Sequence, residues 1–237
     1  MRQRSLRRAV QTGSVLLYVA FVSAAWGASG DEAPNGAPIT GCGVALNKPG
    51  TYTVGQDLST SVDIPCITIA ASNVTLLLGS HTISGAGAIG TASALIVASA
   101  NLTGITIVGG TLKSAYIGLS LVGLKYSAVE RVKATQDSIG FQLTGGFGSS
   151  FISNSAKLNQ SHGFLLNGTF DNLFSNNFSN GNGVGDPAAD GFYLAGASQN
   201  FFYFNEALGN SRDGIQVSAG SAGNILNDGT FTSKQGL

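Results

Sequence analysis

Apolar and polar residues alternate along this chain in short segments that return at nearly constant intervals. Each segment opens with glycine, and an apolar residue at every second position after it is typical of a half-buried β-strand. The opening glycines are 22, 23, 28 and 23 residues apart, and the five segments are Gly118-Leu119-Ser120-Leu121, Gly140-Phe141-Gln142-Leu143, Gly163-Phe164-Leu165-Leu166, Gly191-Phe192-Tyr193-Leu194 and Gly214-Ile215-Gln216-Val217. A repeat of this length holds about three short strands with their turns, which predicts one coil of a parallel β-helix.

Asparagine recurs at fixed positions between these segments. Asn tolerates the left-handed backbone conformation of sharp turns, and stacked side-chain amides can hydrogen-bond along a column. We therefore predict three columns at the turns of successive coils: Asn154, Asn177 and Asn205; Asn159, Asn182 and Asn210; and Asn172, Asn200 and Asn224. The alternation also predicts two interior stacks: Leu119, Phe141, Phe164, Phe192 and Ile215; and Leu121, Leu143, Leu166, Leu194 and Val217.

The N-terminus differs in composition from the repeats. It begins with four arginines, Arg2, Arg4, Arg7 and Arg8, before an apolar stretch at residues 15–25 and a run of small residues. This order is typical of an export signal, and the stretch is shorter than the roughly 20 residues that span a bilayer, although an uncleaved anchor stays the alternative. We predict a secreted or periplasmic protein with no membrane contact beyond its signal peptide. Its predicted parts are a signal peptide (1–28), a flexible leader (29–38) and a β-helix domain (39–237).

The composition excludes two classes of protein. The 237 residues include 34 glycines, 43% hydrophobic residues and only 10% charged residues, a balance opposite to that of a disordered chain. The 12 basic and 12 acidic residues give zero net charge, and removal of the four N-terminal arginines with the signal would leave an acidic protein. We therefore predict no nucleic-acid partner, because binding phosphates needs many clustered Lys and Arg.

The two cysteines, Cys42 and Cys66, both follow the predicted signal. They would reside in a compartment where disulfides persist, whereas two cysteines without an adjacent histidine do not make a zinc site. We predict a Cys42–Cys66 disulfide, which would contribute roughly 3 kcal/mol to stability, and no metal site.

Residues before the regular repeats carry a resemblance to a known family. The motifs are Cys42-Gly43, Pro49-Gly50-Thr51-Tyr52-Thr53, Asp57-Leu58, Cys66-Ile67-Thr68-Ile69, Asn73-Val74-Thr75-Leu76 and His81-Thr82-Ile83-Ser84-Gly85. With them the chain resembles secreted β-helix proteins of the pectin-lyase-like superfamily, and within it the periplasmic nitrous-oxide-reductase accessory proteins. The resemblance implies an all-β fold, a right-handed single-stranded parallel β-helix of about seven coils with an N-terminal disulfide-linked cap at Cys42–Leu58. It fixes no chemistry, because the superfamily includes lyases, hydrolases, epimerases and proteins without catalysis.

The strongest catalytic candidates stand one residue before the repeat glycines. Equal repeat positions of a solenoid stack about 4.8 Å apart, so His162, Asp190 and Asp213 are predicted to form a row on one outer face. Two neighbouring carboxylates can share acid and base roles, as in sugar hydrolysis. The alternative is structural, because Asp before Gly is a common turn dipeptide. His81, the other histidine, has no acid or nucleophile near it in sequence and is predicted to be structural.

Other residues near the row are predicted to bind substrate. Arg212 would hold a substrate carboxylate, Tyr193 would stack on a sugar ring, and Gln142 and Gln216 would hydrogen-bond sugar hydroxyls. No cofactor is required by this arrangement. Resemblance to pectate lyases would imply a calcium-binding acidic group, which the two aspartates of the row approximate, with Asp186 joining them.

Two hypotheses of function follow. In the first, the exported protein binds polysaccharide at or outside the cell surface, and if it is an enzyme it is a polysaccharide lyase, hydrolase or epimerase. In the second, it is a non-catalytic structural or adhesive solenoid whose Asp-Gly pairs are only turns. The last coil would present an unpaired edge, which predicts end-to-end association at the C-terminal coil.

Overall fold

The computed structural model describes residues 36–88 and 93–233, and these residues form strands and turns without any helix. Twenty-two strands, numbered β1–β22 in chain order, build two parallel sheets. The first sheet forms what we call the first face, with strands β1 (Val44–Leu46), β4 (Ile67–Ile69), β6 (Ala94–Ala98), β8 (Ile117–Val122), β11 (Ile139–Thr144), β14 (Phe164–Asn167), β17 (Phe192–Ala195) and β20 (Ile215–Val217).

The second sheet bends and supplies the other two faces of each coil. The second face contains β2 (Gly50–Thr53), β5 (Val74–Ser84), β7 (Thr106–Lys113), β9 (Ala128–Glu130), β12 (Ser150–Ile152), β15 (Leu173–Ser175), β18 (Phe201–Tyr203) and β21 (Ile225–Asn227). The third face contains the ends of β5 and β7 together with β3 (Leu58–Ser59), β10 (Lys133–Thr135), β13 (Ser155–Lys157), β16 (Phe178–Asn180), β19 (Glu206–Ala207) and β22 (Thr230–Phe231). The parallel β-helix predicted from the repeat is confirmed.

The described residues form eight coils, one more than the sequence predicted, because the first face holds eight strands. The segment expected to be a cap is itself a complete first coil. Its strands β1, β2 and β3 pair in parallel with β4 and β5 of the second coil, one strand on each face. The predicted disulfide joins Cys42 and Cys66, just before β1 and β4, and so ties the first coil to the second.

Aromatic rings stack along the interior of the central coils. Phe164 lies between Phe141 and Phe192, with ring centroids 4.5 and 4.7 Å apart, and Phe174 lies between Phe151 and Phe202 at 4.8 Å on each side. Rings repeat at the strand spacing because equal positions of successive coils are in register. The predicted interior stacks are therefore present, except that Val217 in the last described coil is 44% exposed, since no described coil covers it.

The three asparagine columns are hydrogen-bonded ladders, and their members are buried except for Asn224, which is half-buried. Asn182 shows the pattern: its Oδ1 accepts the backbone N–H and the Nδ2 of Asn159, and its own Nδ2 donates to the Ala156 carbonyl and to Asn210 Oδ1. Each amide thus satisfies backbone groups at a buried turn, which would otherwise cost free energy.

The ladder also explains why glycine opens each repeat. A Cβ on Gly140 would lie 2.9 Å from Asn159 Nδ2 and 2.7 Å from the Gly163 carbonyl oxygen, closer than real side chains approach. Gly163 and Gly191 are confined in the same way by Asn182 and Asn210. The repeat glycine is required here by close approach and not by a left-handed backbone.

The predicted signal peptide at residues 1–28, and the leader up to residue 35, lie outside the described residues. They stay predictions, as does export. Within residues 36–88 and 93–233, no helix is long and apolar enough to cross a membrane.

Candidate functional site

The row predicted before the repeat glycines is formed by the parallel register of the first face. His162, Asp190 and Asp213 directly precede the glycines before β14, β17 and β20. The Gly163 N–H donates to the Asp190 carbonyl at 3.1 Å, and the Gly191 N–H donates to the Asp213 carbonyl at 2.9 Å. The three residues therefore occupy equivalent positions on successive coils.

Asp190 is the centre of this row, and its side chain is fully buried. Arg212 binds its carboxylate in bidentate fashion, with Nε donating to Oδ1 at 2.8 Å and Nη2 donating to Oδ2. The Asp213 N–H donates to the same Oδ1 at 3.1 Å. The expectation that the whole row is exposed on an outer face is therefore wrong for Asp190, because its carboxylate is buried by its contacts with Arg212 and with the backbone of the next coil.

His162 is also engaged by the next coil. Its Nδ1 accepts the backbone N–H of Asp190 at 3.0 Å, which fixes the neutral tautomer with the proton on Nε2. Burial lowers the pKa of His162, and the Asp190 and Asp186 carboxylates only partly oppose this effect. The imidazole is therefore neutral. Its Nδ1 accepts a hydrogen bond from the backbone, and its Nε2 carries the proton that can be donated.

The positive charge of Arg212 is stabilised by Asp190. Its hydrogen bonds to Asp190 raise the pKa of the guanidinium above its ordinary value. Asp190 takes up Nε and one proton of Nη2, which leaves the two Nη1 protons and the second Nη2 proton as donors, so the predicted bond of Arg212 to a substrate carboxylate stays a prediction.

Tyr193 lies between the two basic side chains. The His162 ring stacks on it with centroids 4.8 Å apart and planes 9° apart, and the Arg212 guanidinium lies 5.9 Å from its centroid. Both ring faces are thus already in contact with protein. A sugar ring would have to displace one of these two side chains to stack on Tyr193, and the predicted stacking stays a prediction.

The glutamines predicted to bind sugar lie in one outward column of the first face. Register places Gln142, Leu165, Tyr193 and Gln216 on successive coils in that order. Tyr193 and Gln216 are neighbours, whereas Leu165 separates Gln142 from them. Asp213, whose side chain is 24% exposed, is the carboxylate of the row that reaches the surface beside this column.

The acidic residues proposed for calcium do not converge. Asp186 Oδ2 accepts the Ser161 hydroxyl at 3.1 Å, and its Oδ1 accepts the Ala188 N–H at 2.9 Å. Both oxygens of this carboxylate are therefore already hydrogen-bonded within the protein. Across the described ranges, 36–88 and 93–233, no three His, Cys, Asp or Glu side chains are placed to hold a metal ion.

His81, the other candidate considered from the sequence, lies on a different part of the solenoid. Its Nδ1 is 3.5 Å from Asp57 Oδ1, and that oxygen also accepts the Thr82 N–H at 2.9 Å. The pair links the first two coils at β5.

One unusual acid was missed by the sequence analysis. Asp137 is fully buried, and its Oδ1 accepts the Ala115 N–H at 2.9 Å, but its Oδ2 has no hydrogen-bond partner. Burial raises the pKa of this carboxyl to about 8, although backbone N–H groups oppose the effect. The sequence did contain evidence for this position. Asp137 precedes Asn159 by 22 residues, which is one repeat, and so continues that asparagine column.

The comparison with family models agrees with this architecture. Residues 66–231 match the family described as right-handed beta helix region. Two solved structures are similar at 16% identity: the A-module of the mannuronan C-5 epimerase AlgE4 from Azotobacter vinelandii (TM-score 0.44; 78% of this chain and 67% of that chain) and pectate lyase Pel9A (TM-score 0.38; 80% and 70%). A comparison with curated proteins finds no match. The narrower resemblance to nitrous-oxide-reductase accessory proteins stays a prediction. Since the family match extends over more than half of its length, this chain belongs to the right-handed β-helix family.

Proposed function

We propose that this protein binds polysaccharide on the outer surface of its first face and does not cleave it. The observation that carries the proposal is the state of Asp190, which is buried and bound to Arg212. A carboxylate held in this way cannot reach a glycosidic bond, and general acid–base catalysis requires hydrogen-bond contact with the reacting group. Asp213 alone does not supply the pair of carboxylates that glycoside hydrolysis uses.

Binding is supported by the groups left outside. Tyr193 and Gln216 are neighbours in the outward column of the first face and are half-buried, and the Asp213 side chain beside them is 24% exposed. Hydroxyl, amide and carboxylate groups are suitable partners for sugar hydroxyls. Rigid β-strands hold them in place, which lowers the conformational entropy lost on binding. Export to a compartment where such polymers occur is part of the proposal and depends on the predicted signal at residues 1–28.

Glycan-array binding and product assays on the purified full chain test the proposal. Removing only the hydroxyl in Tyr193→Phe, together with Gln216→Ala, should weaken binding about tenfold, because roughly two hydrogen bonds are lost. Tyr203→Phe is the matched control, since Tyr203 faces outward on the second face and should leave binding unchanged. No new reducing ends or unsaturated uronide absorbance should form, with or without calcium.

Two results would contradict the proposal. Product formation that disappears in Asp213→Asn would establish catalysis. Absence of binding to every glycan would favour the structural or adhesive solenoid. That second candidate is supported by the same cluster, in which Asp190 joins backbone, Arg212 and His162 of three coils.

A further inference from the structure

Three lysines lie on consecutive coils of the third face. Lys113 is at the end of β7, Lys133 begins β10 and Lys157 ends β13. In the register of this sheet, Lys133 is directly opposite Thr111 and Ser155, and Thr135 is opposite Lys113 and Lys157. We call these six outward side chains the lysine face: Thr111, Lys113, Lys133, Thr135, Ser155 and Lys157.

The lysine face carries positive charge that the described residues do not neutralise. None of the three ammonium groups forms an ion pair within residues 36–88 and 93–233, and Lys133 and Lys157 are exposed. Two acidic residues occur between positions 111 and 157, and neither is available. Glu130 is paired with Arg131 at 3.1 Å, and Asp137 is buried beneath the turn that follows β10.

The three lysines are close enough for their positive potentials to add, but no two of them are directly opposite each other in the sheet. Lys113 and Lys157 occupy one column two coils apart, about 10 Å at the usual strand spacing, with Thr135 between them. Like charges directly opposite one another would destabilise the sheet, and the intervening hydroxyls avoid this. Separations near the Debye length of about 8 Å still allow the three charges to act together on one ligand.

Charge is segregated along the solenoid axis. The basic residues between positions 113 and 157 are Lys113, Lys125, Arg131, Lys133 and Lys157. From position 158 to 233 the acidic residues are Asp171, Asp186, Asp190, Glu206, Asp213 and Asp228, against Arg212 as the basic residue. A positive patch on an otherwise acidic surface attracts an anionic ligand locally and not through the charge of the whole protein.

We infer that the lysine face is a second binding surface, for a linear polysaccharide that carries carboxylates. Its ammonium groups would contact the carboxylates, and the Thr and Ser hydroxyls between them would bond to sugar hydroxyls. Nucleic acid suits this face less well, because single strands need several aromatic stacking platforms. These three coils present Lys, Thr and Ser on it, and the adjacent coil adds one exposed ring, Phe178, opposite Ser155. The inference rests on the proposed function as a polysaccharide-binding protein and places an acidic ligand away from the first face.

Titration of the purified full chain with sodium alginate, polygalacturonate, dextran and a single-stranded DNA oligonucleotide tests the inference. Replacing two lysines of the face, Lys133→Gln with Lys157→Gln, should weaken binding of the two acidic polysaccharides about tenfold and reduce its salt dependence. The matched control is Lys48→Gln with Lys125→Gln, which removes the same charge from elsewhere and should change affinity less than twofold. The variant Tyr193→Phe with Gln216→Ala is titrated in parallel and reports binding to the first face separately.

The outcomes separate this inference from the proposed function. Equal losses in the two lysine pairs would show that bulk charge drives binding and would overturn the inference. DNA bound as tightly as alginate, with the same dependence on Lys133 and Lys157, would overturn it as well. Binding of polysaccharide that responds to Tyr193 and Gln216 but not to the lysines would refute the lysine face and retain the proposed function. No binding to any polysaccharide would refute both.

Discussion

Asp137 and Asn159 occupy successive positions of one buried ladder, and the Asp137 N–H donates to Asn159 Oδ1 at 3.0 Å. Asp137 Oδ2 lies where the other members of the ladder have an amide nitrogen. A Cβ on Gly118 would lie 2.8 Å from that oxygen, just as one on Gly140 would lie 2.9 Å from Asn159 Nδ2. An ionised carboxylate has no proton to donate at this position, whereas a protonated one does.

We therefore expect Asp137→Asn to stabilise the protein. In the wild type, the folded-state pKa of Asp137 is raised to about 8 from the ordinary value of 3.8, so the folded state binds the extra proton between these two values. The contribution of this bound proton to the free energy of unfolding is complete below about pH 4. It is lost as the pH rises towards 8, by at most about 1.4 kcal/mol per pH unit. The gain in free energy of unfolding from Asp137→Asn should therefore grow as the pH rises over the same range.

Urea unfolding at several pH values measures this difference. Asp171→Asn is the control, because Asp171 is exposed in a left-handed turn that Asn also tolerates, and it should change stability by less than about 0.5 kcal/mol. An Asp137→Asn protein that is less stable than the wild type at pH 7 would refute the assignment of a neutral acid.

Gly140→Ala should destabilise the protein by about 3 kcal/mol, because the new methyl group would collide with Asn159 Nδ2 and with the backbone of the next coil. Gly185→Ala provides the comparison. A Cβ on Gly185 would meet no atom within 4 Å, and its backbone is not left-handed, so alanine there should be neutral or slightly stabilising. Thermal unfolding of the two variants side by side would reveal the difference, and equal melting temperatures would contradict the steric origin of the repeat glycine.

Arg212→Met should cost about 3 kcal/mol, because it leaves the buried Asp190 carboxylate without its counter-charge. Asp190→Asn in the same chain should restore part of the loss, since the remaining buried group is then neutral. Arg131→Met removes an exposed arginine paired with Glu130 and should cost less than about 1 kcal/mol. Chemical denaturation measures these differences. Similar losses of unfolding free energy in both arginine variants would show that the buried Asp190 carboxylate does not depend on Arg212.

The pKa of His162 should lie below its ordinary value. Its pKa is lowered chiefly by burial, so the unfolded chain binds the proton more readily just below the ordinary value of 6.5. His162 therefore makes the folded state less stable as the pH falls through that value. NMR titration of the ring protons, assigned with His162→Gln, should give a midpoint below 6.5. A midpoint above it would mean that the carboxylate of Asp190 outweighs burial.

The repeat in the sequence determined the coil, the interior stacks and the asparagine ladders. It did so because all coils of a solenoid share one register, so a residue spacing of about 23 translates directly into a stacking contact. The same reasoning placed His162, Asp190 and Asp213 on successive coils. The Cys42–Cys66 disulfide was predicted on other grounds, from two cysteines that both follow the predicted signal. The extra coil was hidden because the first coil departs from the repeated pattern.

Only the tertiary structure decided what each stacked side chain does. Spacing identifies which residues are neighbours but not whether a side chain at a corner turns inward or outward, since that depends on the unsatisfied groups of the adjacent coils. Asp190 is buried because its carboxylate accepts hydrogen bonds from Arg212 and from a backbone N–H of the next coil. The Tyr193 ring is in contact with His162 and Arg212 because these come from the coils on either side. Burial also changes the acidity of Asp137, and the sheet register gathers three lysines that are more than 40 residues apart from first to last onto one surface.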